Sequence, residues 1–197
     1  MIDISTDRDG HSLRLLVWLG LRRFPTLALF QFLSDPDVIV RSATARELQI
    51  RGGKRVFEKT KQLLVSDKKN LRELAAFILG QLGTPKRPFK AESTQLLLQL
   101  LRSETNATVR ATAIDSLGWL HTTRAIKNIV SFAKDRSPAV RGSVGFAVGM
   151  IYCEKHQSIP ESYWRLLKKF RKDKSRAVRE EAKLGIDLVL GEQENNG

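Results

Sequence analysis

The chain has 197 residues, 42% of them hydrophobic, enough to bury a continuous core as one domain without disulfides or metals. Thirty-four Lys and Arg stand against 21 Asp and Glu, a net charge of +13 spread over both halves, which favours an acidic protein, nucleic acid or an anionic surface as partner; read neutrally, it serves solubility. The single Cys153 excludes an intrachain disulfide. The start Met1 to Ile4 lacks the charge and apolar run of a signal peptide, and the longest uncharged stretch, Gly142 to Cys153, falls short of the roughly 18 apolar residues of a membrane span, so a cytoplasmic protein is expected.

In chain order, an extra helix is expected near Ser12 to Arg23, followed by five helix pairs. The first helices of the pairs are expected near Phe24 to Leu33, Gly53 to Val65, Glu92 to Arg102, Thr123 to Ala133 and Glu161 to Lys172. Each second helix is marked by an arginine behind an aliphatic residue: Arg41, Arg72, Arg110, Arg141 and Arg179, spaced 31, 38, 31 and 38 residues apart. That spacing is too long for one helix and suits a stacked helix-turn-helix unit. In the second to fifth units the residues at offsets of minus one, plus three, plus seven and plus ten from the arginine are aliphatic or small, as in Val140, Val144, Val148 and Ile151, so one face of each second helix is expected to be core. Pro25, Pro138 and Pro160 fall where helices start. The helical glycines, Gly118, Gly145 and Gly149 among them, are expected to let neighbouring helices approach closely.

The expected organisation is an N-terminal extension and helix over 1–23, a repeat solenoid over 24–190 and a frayed tail over 191–197. Two junctions carry about seven extra residues, around Pro85 to Lys90 and Glu154 to Ser158, and are expected to project from one edge of the stack.

A turn acid, Val-Arg six residues later and a Leu-Gly ending resemble HEAT repeats, most clearly in RELAAFILGQLG from Arg72 to Gly83 and VRATAIDSLG from Val109 to Gly118. The resemblance implies an all-α, right-handed solenoid of about five HEAT-like helix pairs of the short bacterial class. It also implies a hydrogen-bonded ladder of Asp35, Asp67, Glu104, Asp135 and Asp173 with Arg41, Arg72, Arg110, Arg141 and Arg179. The segment SATARELQIRGG from Ser42 to Gly53, with AAFILGQLG from Ala75 to Gly83, is similar to the N-terminal repeats of YibA-like HEAT proteins of enteric bacteria. That family is encoded beside Rhs polymorphic toxins, which implies a role in immunity.

Chemistry-bearing motifs are sparse. His11, His121 and His156 belong to different units, and no second cysteine completes a ligand set, so no metal, cofactor or catalytic centre is expected. A row at offset plus five, opposite the core, reads Arg46, Phe77, Asp115, Phe146 and Leu184, with Trp119 and Met150 one turn on. We read Phe77, Asp115, Trp119, Phe146 and Met150 as a partner-binding groove and Arg87, Lys90 and Lys155 as loop cations that steer an acidic partner, such as a toxin, to a free monomer. The neutral reading buries this row between repeats. A nucleic-acid alternative rests on the run from Lys168 to Arg179 and on Asp115 with Trp119, which resemble the aspartate and tryptophans of HEAT-like alkylpurine DNA glycosylases. Short HEAT-like repeats also occur in bilin lyases, a third reading.

Overall fold

The computed structural model of the chain describes residues 11–153 and 159–194, and every regular element among them is helical. The chain divides after Phe89 into two compact units. In the first, α1 (His11–Leu21) precedes a 3-10 segment, Ala28–Ser34, that pairs with α2 (Val38–Arg51); α3 (Gly53–Leu63) then pairs with α4 (Lys69–Gly80). In the second, α5 (Lys90–Ser103) pairs with α6 (Ala107–Trp119), α7 (Ile126–Ser131) with α8 (Pro138–Cys153), and α9 (Glu161–Phe170) with α10 (Arg176–Glu194). The fold is thus all-α, five HEAT-like pairs behind one N-terminal helix.

Two of the expected first helices are shorter than their apolar pattern suggests. The Phe24 to Leu33 stretch folds as a 3-10 turn starting three residues after Pro25, and Thr123 to Ala133 breaks into 3-10, α and 3-10 pieces. Neither the Ala28–Ser34 segment nor α7 has a capping side chain at its start, but the longer first helices α3 and α9 lack one too, so capping does not set their length. Burial of Leu29 and Leu33, and of Ile126 and Ile129, holds the short pieces down.

The projected core is observed. Val109, Ala113, Leu117 and Leu120 are all buried, as are Val140, Val144, Val148 and Ile151. Glycine lets the second helices close on each other: a Cβ on Gly149 of α8 would overlap the backbone of Gly185 of α10, and one on Gly118 of α6 would lie 2.8 Å from Ala147 Cα. Gly83, by contrast, sits in the turn after α4 at φ 68° rather than in a helix, and a Cβ on Gly52 would lie 2.9 Å from its Cα.

All five arginines occupy one structural position. The Nη1 of each donates to the carbonyls five and six residues back: Arg41 to Asp35 and Pro36, Arg72 to Ser66 and Asp67, Arg110 to Glu104 and Thr105, Arg141 to Asp135 and Arg136, Arg179 to Asp173 and Lys174. The turn acid then accepts from the amide two residues on, as Asp135 does from Ser137 and Asp173 from Ser175, each at 2.8 Å. In the second repeat this place is held by Ser66, whose Oγ accepts from the Lys68 amide at 3.2 Å. Asp67 is therefore one residue out of register and lends only its carbonyl, a correction to the expected ladder. Inter-repeat rungs are seen from Arg110 to Asp135 at 3.0 Å and from Arg141 to Asp173 at 3.0 and 2.9 Å.

Candidate partner-binding surfaces

The row expected as one groove is distributed over the two units. In the first, Phe77 projects from α4 beside a concavity of about 530 Å³ between α1, α2 and α4. Leu15 and Trp18 of α1 form one wall, Val38 of α2 another, and Phe77, 36% exposed, the third; Arg14 and Arg46 contribute the charge. Polar bonds hold the α1 and α4 walls on α2. The Trp18 indole donates to Glu47 at 2.7 Å, and Glu47 takes a second bond from Arg51 at 2.7 Å. Arg51 in turn donates to the carbonyls of Leu21, Arg22 and Phe24 at the end of α1, which fixes that helix on α2. Gln49, buried in α2, donates to the Phe77 carbonyl and thereby sets α4 at its distance. Arg46 donates to the side-chain oxygens of Gln49 and Gln81, so among the described residues its charge faces amides rather than a carboxylate.

In the second unit Trp119 is 37% exposed and packs on Phe146, with ring centroids 5.8 Å apart. Asp115, one turn before Trp119, accepts a hydrogen bond from Ser143 of α8. Burial pushes its carboxyl up to about 7; the Ser143 bond works against that rise and the charge of Glu181 on α10 adds to it. Asp115 is thus a group of the helix interfaces that carries its charge only in part at neutral pH.

Met150 does not belong to a binding surface. It is 5% exposed, and its carbonyl accepts from His121 Nδ1 and from Cys153 Sγ; the tight glycine-mediated packing of α6 on α8 covers it. Lys90 is not a loop cation either: it is the first residue of α5, half-buried, with its ammonium 3.4 Å from the His121 carbonyl. Arg87 stays half-buried in a turn that is pinned where Phe89 stacks on Phe57 at 4.6 Å. Lys155 lies outside the described residues.

The run from Lys168 to Arg179 covers the end of α9 and the turn into α10. Lys168, Lys169, Arg171 and Lys172 are exposed, with the Lys168 ammonium 5.3 Å from the Trp164 ring centroid. Arg179 is drawn off into its own turn carbonyls. Among the described residues no three His, Cys, Asp or Glu side chains are placed to hold a metal ion, and no helix is long and apolar enough to cross a membrane.

Arg14 and Trp18 escaped the sequence reading because they lie ahead of the first repeat and have no equivalents to align with. The available signal was the apolar α1, which bears Leu13, Leu15, Leu16 and Leu19 outside any repeat.

Residues 94–187 match the sequence model for HEAT repeats. YibA of Escherichia coli (strain K12) is 32% identical over 132 residues, covering 62% of this chain and 46% of YibA, and YibA of Escherichia coli O157:H7 matches equally. The chain thus spans about half the length of the curated relatives it matches. The X-ray structure of Escherichia coli YibA superposes with a TM-score of 0.75 at 25% identity, over 91% of this chain and 63% of that one. Human deoxyhypusine hydroxylase, solved in complex with glycerol, shares the fold alone, at a TM-score of 0.54 and 20% identity over 92% of this chain and 66% of that one.

Proposed function

As a HEAT-repeat protein similar to YibA, this chain is, we propose, a non-enzymatic cytoplasmic protein that captures an acidic protein partner, and acts as an immunity protein that neutralises a bacterial toxin. The observation that carries the reading is the pair of aromatic surfaces left open by the second helices: Phe77 over its concavity, and Trp119 seated on Phe146. Exposed aromatic clusters are uncommon on a monomer and are the side chains that most often anchor interfaces. The net charge of +13 selects an acidic partner and speeds its approach. The immunity role is tested by asking whether a toxin gene adjoins this one, by co-expression with any toxin found there and by calorimetry of the two purified proteins. Rescue of growth with a saturable one-to-one complex is expected; toxicity undiminished by the chain removes the role.

The four exposed cations at the end of α9 favour a second reading, a nucleic-acid-binding protein related to the alkylpurine DNA glycosylases. Asp115 weighs against the catalytic form of it, because a carboxyl bonded to Ser143 and titrating near 7 is a poor stabiliser of a cationic base. Base release from alkylated duplex DNA, abolished in Asp115→Asn, would put this reading first.

A further inference from the structure

The concavity in the first unit specifies its occupant more closely than the charge of the chain does. Its walls are apolar, formed by Leu15, Trp18, Val38 and Phe77, and its cations, Arg14 and Arg46, have no carboxylate partner among the described residues. A third guanidinium, that of Arg22, lies 5.4 Å from the Trp18 ring centroid. The apolar surface does not stop at the concavity. Leu19 stands one helical turn beyond Leu15 on α1, and the two are 45% and 52% exposed, so the track continues along the helix. A small molecule would fill the concavity and leave the track in water. A second copy of this chain would set like charges against Arg14, Arg22 and Arg46 in molecules of net charge +13. An acidic chain segment meets both requirements.

We propose that the groove between α1, α2 and α4 is an anchor site for an acidic amphipathic segment of a partner protein, which inserts a large apolar side chain between Trp18 and Phe77 and sets carboxylates against Arg14 and Arg46. This rests on the protein-binding reading above and gives it a location and a recognition chemistry. The two parts divide the work of binding: the apolar anchor sets the lifetime of the complex, and the guanidinium pair sets its sign selectivity and rate of formation. Glu47 serves as a positioning residue, since its bonds to Trp18 and Arg51 hold the α1 wall.

The test is selection of random phage-displayed peptides on the immobilised full chain, followed by affinity measurement with the enriched peptides. Enriched sequences should place Trp, Phe or Leu between Asp or Glu residues. Phe77→Ala and Arg14→Glu should each weaken them by about tenfold or more, with Arg14→Lys retaining most of the affinity. Both side chains are substantially exposed, and unchanged thermal melting confirms that the variants fold. Failure to enrich any peptide, or peptides that bind wild type and variants alike, overturns the proposal. So does displacement of a fluorescent apolar probe by decanoate without peptide enrichment, which would make the groove a site for small acids. If a toxin encoded beside the gene binds wild type and both variants equally, the groove proposal falls while the protein-binding reading stands; if no such toxin binds wild type and the peptides still bind, the immunity role falls and the groove stands.

Discussion

Trp18 and Glu47 are joined across the first two helices by a 2.7 Å indole-to-carboxylate hydrogen bond, and the same carboxylate, 4% exposed, holds Arg51 against the end of α1. One buried acid therefore fixes the helix that precedes the repeats. Glu47→Ala should cost about 3 kcal/mol, because it leaves the Arg51 charge half-buried without its counter-ion, while Trp18→Phe should cost nearer ~1 kcal/mol for one hydrogen bond. Urea denaturation gives the magnitudes. Hydrogen exchange should show α1 opening in Glu47→Ala with α8 still protected.

The arginine ladder predicts unequal repeats. Arg141 makes two bonds to turn carbonyls and two to Asp173, so Arg141→Ala should lose ~2–4 kcal/mol. In the first unit the rung is incomplete because Ser66 stands where later turns carry an acid. Ser66→Asp supplies a carboxylate to Arg41 and should stabilise the chain by ~0.5–1 kcal/mol. A lower urea midpoint for this variant would contradict the equivalence of the five turns.

Asp115 and Asp173 predict opposite pH behaviour. Burial raises the Asp115 carboxyl from 3.8 to about 7, so the folded state takes up a proton; that stabilisation is complete below pH 3.8 and is lost as pH rises through 7. Asp115→Asn should therefore raise stability above pH 7 and flatten its dependence between pH 5 and 8, as read from thermal melting across that range. The hydrogen bond from Arg141 holds Asp173 below its ordinary 3.8, so its contribution is present above that value and disappears only as pH falls further.

Gly149 meets Gly185 where α8 crosses α10, and no room exists there for a methyl group. Gly149→Ala should destabilise the second unit by ~2–3 kcal/mol despite the better helix propensity of alanine. Gly191→Ala, with open space around it, should not. Differential scanning calorimetry of the two variants checks the contrast.

The repeat was legible because five arginines recur at one position and the core residues keep fixed offsets from them. The register of the second turn was not. Ser66 and Asp67 are adjacent and equally suited to a turn, and only the carbonyls that Arg72 chooses separate them. Phe77 and Trp119 were found because a helical projection puts them opposite the core, and both are exposed. The same projection failed for Met150, since it treats every helix alike and misses how closely Gly118 lets α6 approach α8. The concavity was invisible for a further reason: its α1 wall is placed by the Trp18, Glu47 and Arg51 contacts, which span about thirty residues and leave no periodic trace.

On the proposed reading, the exposed aromatic side chains of the second helices bind a protein partner. Its most direct measurement is the affinity and dissociation rate of the partner, purified and titrated against wild type, Phe77→Ala, Trp119→Ala and the double variant, with the fold checked by circular dichroism. The double variant should lose about tenfold or more in affinity, expressed mainly as faster dissociation. Unchanged affinity in the double variant with its helical signal intact would contradict it.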